Sequence, residues 1–215
     1  MTDTGPGPAG GAPARKLYVY NGGFLTNDRV RRILTCAGYD LRLGIPRKDD
    51  LVAVWGKSPT APRGEAMAAR TGARIVRVED AFLRSVRPGR AGDPPLGLLI
   101  DPTGIHFDGS APSLIEEIIR TNPLDDTAVL SRARDGIARL KHLHLSKYNG
   151  FDPDLEVPPP GYVLVVDQTR NDASIRHGGA SAATFREMLV IAQEEHPGAR
   201  IVIKSHPEAV AGHRL

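Results

Sequence analysis

The sequence holds a single cysteine, Cys36, in 215 residues. One thiol cannot close an internal disulfide, which suits a reducing compartment and makes the cytoplasm the expected location. Long apolar runs are also missing, and no stretch approaches the roughly 18 residues a bilayer-spanning helix needs. Residues 1–15, MTDTGPGPAGGAPAR, lack the charged start and apolar centre of a signal peptide. Their Gly, Pro and Ala content predicts a disordered tail. Aromatics are scarce, with five Phe, five Tyr and one Trp. They do not interleave with basic residues as a base-stacking platform would, so nucleic acid is not the expected partner. Neither GxGxxG nor a Walker A pattern occurs, which argues against a dinucleotide oxidoreductase and a P-loop NTPase. No His, Cys, Asp and Glu cluster has convincing metal-ligand spacing, and no metal is expected. His142 and His144 lie two apart on a predicted helix and so do not share a face. Cys36 also falls in a predicted helix, where packing is its expected role.

What is present is an ordinary globular mix, 40% hydrophobic and 25% charged, enough for a sizeable core. The net charge of +3 is small, but the arginines are unevenly spread. Arg63, Arg70, Arg74, Arg77, Arg84, Arg87 and Arg90 sit close together in sequence. Such a cluster is a solvated surface, a footprint for duplex DNA, or a means of steering and holding an anionic substrate.

Strand-like and helix-like segments alternate. KLYVYNG (16–22) reads as a strand, followed by a helix from Asn27 to Cys36 with Asn27 or Thr26 as its cap. YDLRLG (39–44) is strand-like. LVAVWG (51–56) is a nearly continuous apolar strand, the signature of burial on both faces in a parallel sheet. Pro62 to Thr71 forms an Ala-rich helix stopped by Gly72, and ARIVRV (73–78) is the next strand. This alternation predicts an α/β domain with parallel strands. LGLLIDPTGIHFDG (96–109) reads as two strands joined at Asp101-Pro102-Thr103-Gly104. Helices follow over Ala111–Arg120, with Pro112 in the first turn, and over Asp125–Leu140. In the latter, Val129, Leu130, Ala133, Ile137 and Leu140 keep helical spacing.

The proline-rich segment 149–161 is expected to be a linker. Residues 16–148 then form a Rossmann-like first domain, and 162–215 open a second α/β domain. That second part comprises a strand YVLVVDQT (162–169), a helix Ala182–His196 capped by Ser181, and a strand with its exit loop, ARIVIKSHP (199–207). One βαβ unit of about 50 residues is small for an independent core, so this domain is expected to be incomplete.

Ligand sites in open α/β sheets lie beyond the carboxyl ends of strands. Three polar clusters hold that position: Glu79 to Ser85 after RIVRV, Asp167 to Ser174 after YVLVV, and Lys204-Ser205-His206-Pro207 after RIVI. Carboxylates in such loops can serve as nucleophile, acid or base in glycosyl transfer. A His-Pro pair opening a helix offers an imidazole and free N–H groups, a natural phosphate site.

These clusters also carry a resemblance. VWGKSPTA (54–61), RVEDAFLRSV (77–86), PPLGLLIDPTGIHFDGSAPS (94–113), LSKYN (145–149), VLVVDQTRNDASI (163–175) and IVIKSHPEAVAG (201–212) resemble successive blocks of KpsC-type capsule synthesis proteins. The resemblance implies a GT-B-like fold of two Rossmann-type domains, the second truncated here. It implies retaining transfer of 3-deoxy-D-manno-oct-2-ulosonic acid (Kdo) from CMP-β-Kdo to a lysophosphatidylglycerol-linked Kdo acceptor, with no cofactor. Carried over, it makes Asp172 the nucleophile, with Asp167 as the alternative, and Glu79 the acid/base, with Asp80 behind it. Lys204, His206 and Pro207 would hold the CMP phosphate, and Arg84 or Arg170 would pair with the Kdo carboxylate. Gln168, Thr169 and Ser174 are further polar contacts. The family pattern has glycine where this chain has Ala81. Peripheral contact with the inner membrane, and with other capsule assembly proteins, is implied by the lipid acceptor. Two other readings stay open: a non-catalytic module binding anionic glycan or lipid, and a transferase for another CMP-activated acid sugar.

Overall fold

The computed structural model describes residues 13–207 except Pro88 and Pro153. The tail expected over 1–15 lies outside the described residues up to residue 12, and Arg15 already belongs to a strand. In chain order the elements are β1 (Arg15–Val19), α1 (Gly23–Thr26), α2 (Asp28–Cys36), β2 (Tyr39–Arg42), β3 (Leu51–Trp55), α3 (Ala61–Thr71) and β4 (Arg74–Asp80). They continue with β5 (Leu98–Asp101), α4 (Leu114–Thr121), α5 (Thr127–His142), β6 (Tyr162–Val166), α6 (Ala173–His177), α7 (Ala182–Glu195) and β7 (Arg200–Lys204). They divide into two units. The first runs to His106 and takes in Pro112–Gly150; the second comprises Phe107–Ala111 and the chain from Phe151.

The first unit is built on a five-stranded sheet in the order β2-β1-β3-β4-β5. The first four strands are parallel and β5 runs antiparallel to β4. The continuous apolar run of β3 explains its central place. Successive side chains of a strand point to opposite faces. Leu51 and Ala53 join one core with Leu17, Val19, Phe24 and Leu34. Val52 and Val54 join a second core with Ala61 and Ala68 of α3. That second packing is close: a Cβ at Gly64 would lie 2.7 Å from Val54 Cγ1 and 3.2 Å from Val52 Cγ1. Asn27 is the cap of α2, its Oδ1 accepting from the N–H groups of Arg29 (3.1 Å) and Val30 (3.2 Å). Gly72 ends α3 in the left-handed region at φ 73°, as its position predicts.

Several expectations are corrected. The second strand read from residues 96–109 does not form. The buried Asp101 carboxylate takes the backbone donors that a turn into a second strand would have to place elsewhere. Its Oδ1 accepts from the N–H groups of Thr103 and Gly104, each at 2.8 Å, and its Oδ2 accepts from Leu114 N–H at 2.9 Å. This bonding joins the end of β5 to the start of α4. Pro112 consequently stands before α4 rather than in its first turn. Ser113 caps the helix, and Glu116 returns a carboxylate to the Ser113 N–H at 2.7 Å. Helix α5 has the anticipated apolar spacing, yet none of its residues is buried, and Val129 and Ile137 are exposed. His144 lies beyond α5 with φ 52°, so the two histidines are not on one helix. Cys36 is exposed rather than packed. Val30 and Leu34 define the buried face of α2, and a residue two further on falls on the opposite side.

In the second unit β6 and β7 pair in parallel, with Val166 opposite Lys204. Ser181 caps α7, its Oγ accepting from the Ala183 N–H at 3.2 Å. Buried apolar side chains there include Val165 and Ala192, while Leu164, Val166 and Ile203 are exposed. Residues 149–161 carry no helix or strand among those described. The helix expected after His206 lies outside the described residues from 208 onward.

Two outcomes follow from this packing. In an open helix Gly→Ala gains about 1 kcal/mol, but at Gly64 the clash with two β3 valines reverses the sign. Gly64→Ala is expected to lose about 1–3 kcal/mol, measured by denaturant unfolding. The Ser113 N–H, and then its hydroxyl, hold the Glu116 carboxyl below the usual carboxylate range. A carboxyl whose folded value is lowered gives stability that is present above its unfolded value, near pH 4.3 or so, and lost as pH falls through the folded value. Glu116→Gln is therefore expected to flatten the acid limb of unfolding measured between neutral pH and about pH 3.

Candidate functional site

Of the site residues predicted in the first unit, Glu79 and Asp80 are the last two residues of β4 rather than the start of its exit loop. They pair across with Leu99 and Leu98 of β5. Glu79 Oε1 accepts from the Asp80 N–H at 2.9 Å. Asp80 Oδ1 accepts from Arg84 Nε at 2.7 Å. Arg84 Nη1 donates further to Ser85 Oγ at 2.9 Å and to the Asp93 carbonyl at 2.7 Å. Arg84 is thus committed to its own loop, and pairing with a sugar carboxylate would compete with these bonds. Ala81 is not in the left-handed region, so its φ does not call for glycine.

Two further arginines of the cluster, Arg77 and Arg87, are engaged in the same way. Arg77 bridges Glu65 at 2.8 Å and the Gly56 carbonyl at 2.8 Å, tying α3 to the ends of β3 and β4. Arg87 bridges Asp93 at 2.9 Å. The Arg87 backbone N–H, then its side chain, hold the Asp93 carboxyl below the usual range. The LSKYN block joins the same region through Asn149 Nδ2, which donates to the Val86 carbonyl at 3.0 Å. Sequence reasoning passed over His106. Desolvation, then the charge of Lys147, pull its imidazole below the usual value.

In the second unit the structure brings two of the predicted clusters together. Asp167 follows β6 directly, and its N–H donates to the Lys204 carbonyl at the end of β7, 3.0 Å away. The loop then folds on its own side chains. Asp167 Oδ1 accepts from the Gln168 N–H at 2.8 Å, and Gln168 Oε1 accepts from the Thr169 N–H at 2.8 Å. The Asp172 N–H donates to the Thr169 carbonyl at 3.1 Å, with Asn171 turned to φ 64° between them. Asp172 is the N-cap of α6, a helix the sequence reading did not anticipate. Its Oδ1 accepts from the Ser174 N–H at 2.9 Å and from Ser174 Oγ at 2.7 Å. An Asp two residues ahead of a Ser is the signal that was available. Gln168 Nε2 lies 3.4 Å from Ser174 Oγ. Thr169 is 1% exposed, and its Oγ1 sits 2.9 Å from His206 Nδ1. Lys204, Pro207 and Arg170 are exposed at the rim.

The loop after β6 presents two carboxylates, Asp167 and Asp172, each held by hydrogen bonds, and its Thr169 meets the His206 imidazole from the loop after β7, with Lys204 and Arg170 exposed. This arrangement suits chemistry on an anionic substrate whose reacting carbon a carboxylate can attack. Among the described residues no group of three or more His, Cys, Asp and Glu is placed to hold a metal ion. No described helix is long and apolar enough to cross a membrane.

The α/β architecture, with its largely parallel sheet and polar strand ends, is that of a GT-B-like glycosyltransferase. It matches KpsC of Thermosulfurimonas dismutans, a β Kdo 2,4 transferase, with a TM-score of 0.80 and 31% identity over 95% of this chain and 64% of that one. The chain belongs to the capsule polysaccharide biosynthesis protein family, whose model matches residues 50–157 and 154–215. A second KpsC structure from that organism, a β Kdo 2,7 transferase, gives a TM-score of 0.62 at 25% identity, covering 90% of this chain and 62% of that one. The capsule polysaccharide modification protein LipA of Neisseria meningitidis serogroup B is 36% identical over 172 residues, 77% of this chain and 24% of LipA. The chain therefore spans about a quarter of that relative and just under two thirds of the solved KpsC chains.

Because Asp172 is both a candidate nucleophile and a helix cap, its substitutions must be chosen by chemistry. Asn caps a helix about as well as Asp, whereas Ala costs about 1 kcal/mol. Asp172→Asn is expected to keep the thermal midpoint of the wild type, and Asp172→Ala to lower it, in a melting experiment followed by circular dichroism.

Proposed function

We propose that the protein is a retaining β-Kdo glycosyltransferase of capsule biosynthesis, moving Kdo from CMP-Kdo to a Kdo residue on a lysophosphatidylglycerol anchor. The observation that carries this reading is the Asp172 carboxylate, fixed by Ser174 in a loop that shares its hydrogen bonds with His206. Membership of the capsule family and likeness to two Kdo transferases support the sugar and the pathway.

In this reading an Asp172 oxygen attacks the anomeric carbon of Kdo as its bond to the CMP phosphate oxygen breaks, giving a sugar ester and free CMP. The acceptor hydroxyl then attacks the same carbon, losing its proton to a general base and releasing the Asp172 carboxylate. Two inversions leave the β configuration unchanged. Lys204 offsets the charge of the leaving phosphate, and His206 donates a hydrogen bond to it. Arg170 takes the Kdo carboxylate, because Arg84 is already bound within its own loop. No cofactor takes part. The enzyme works at the cytoplasmic face of the inner membrane, in peripheral contact with it, where the lipid acceptor and other capsule assembly proteins lie. The closer match to the 2,4 than to the 2,7 transferase, 0.80 against 0.62, favours a 2,4 linkage.

The test is Kdo transfer from CMP-Kdo, generated in place, to a fluorescent Kdo-primed acceptor. The wild type is expected to give product whose linkage by NMR is β-2,4. Asp172→Asn, folded as above, is expected to lose at least ~10³-fold in kcat. Product from the wild type and Asp172→Asn alike would move the nucleophile to Asp167. A folded wild type that binds CMP-Kdo and transfers nothing would favour a binding module instead.

A further inference from the structure

Thr169 stands out because its surroundings do not match the role of a substrate contact. At 1% exposure it has no surface to offer a ligand. Yet its hydroxyl lies 2.9 Å from His206 Nδ1, linking the loop after β6 to the loop after β7 across 37 residues of sequence. Its main chain is equally engaged. The N–H donates to Gln168 Oε1 at 2.8 Å, and the carbonyl accepts from the Asp172 N–H at 3.1 Å. One buried side chain therefore ties the imidazole to the segment that carries Asp172.

We propose that Thr169 is a positioning residue that fixes the orientation and tautomer of the His206 ring, so that Nε2 carries the proton and donates to an anionic oxygen of the nucleotide donor. A threonine side chain is stiff about χ1, so its oxygen holds one place. The hydroxyl donates to Nδ1, which leaves the ring proton on Nε2. The second-loop partner of a histidine sets which nitrogen is protonated, as it does for metal-bound and catalytic imidazoles. Removing the Thr169 hydroxyl takes away the bond to Nδ1 and shifts the balance of the ring proton between the two nitrogens. The nucleotide part of the proposal rests on the Kdo-transferase reading; the bond and its effect on the ring do not.

The test separates the two. Wild type, Thr169→Val and Thr169→Ser are labelled with nitrogen-15, and the His206 ring nitrogens are assigned and compared at pH 8. Valine keeps the volume and branching while removing the hydroxyl, and serine restores it. The wild type and Thr169→Ser are expected to show the Nε2–H tautomer, and Thr169→Val a shift toward a mixture of the two. CMP affinity by calorimetry is expected to fall about three- to tenfold in Thr169→Val and to recover in Thr169→Ser. A Thr169→Val protein with wild-type ring signals and wild-type CMP affinity would overturn the proposal. If Thr169→Val alters the ring but the wild type binds no CMP, the positioning bond is supported and the nucleotide reading fails alone. Should Thr169→Val not fold, Thr169→Ser and Thr169→Ala with the same ring measurement decide, since alanine lacks the hydroxyl and serine keeps it.

Discussion

The first unit depends on one constraint, that β3 is covered on both faces. Leu51 and Ala53 are buried on one side and Val52 and Val54 on the other. A strand enclosed in this way can leave polar groups only at its ends. β1, β2 and β4 run parallel with β3, so their exits lie along one edge of the sheet. Gly64 lets α3 approach closely enough to close the second core. The charged residues Glu79 and Asp80 appear where β4 runs out of cover.

Where polar groups collect at strand ends, each must find a partner or remain in water. The protein meets this demand in two ways. In the first unit, arginines satisfy carboxylates and carbonyls of nearby loops: Arg77 with Glu65 and Gly56, Arg84 with Asp80 and Asp93. These bonds commit the side chains of Arg77 and Arg84 to the scaffold. In the second unit, carboxylates and neutral side chains of one loop do the same work for each other. Gln168, Thr169 and Ser174 saturate the loop after β6, while Lys204 and Arg170 remain exposed. Fixed carboxylate, fixed imidazole and exposed cations in one unit form the arrangement that the proposed transfer chemistry requires.

Much of the fold was legible in the sequence because it was encoded locally. The apolar run of β3, the Asn27 cap and the Gly72 stop each act within a few residues. The failures came from bonds between distant positions. Asp101 reaches Leu114 and so prevents the second strand that its turn sequence suggests. For α5, periodicity was correct but burial was not, because spacing alone does not say what lies opposite. The site divides in the same manner. Polar residues after the apolar strands pointed to two loops that the structure does bring together, those after β6 and β7, and Asp172 stood ahead of α6 as a cap residue. That Arg84 is committed to the Asp93 carbonyl, and that Thr169 serves His206, required contacts no local pattern records.

The central claim is that Asp172 becomes covalently bonded to the sugar during turnover. The direct measurement is peptide mass spectrometry of the protein after brief incubation with CMP-Kdo and no acceptor. A Kdo ester located on Asp172, which disappears when acceptor is added, is the predicted result. Transfer that proceeds with no adduct on any carboxylate, or with an adduct confined to Asp167, would contradict it.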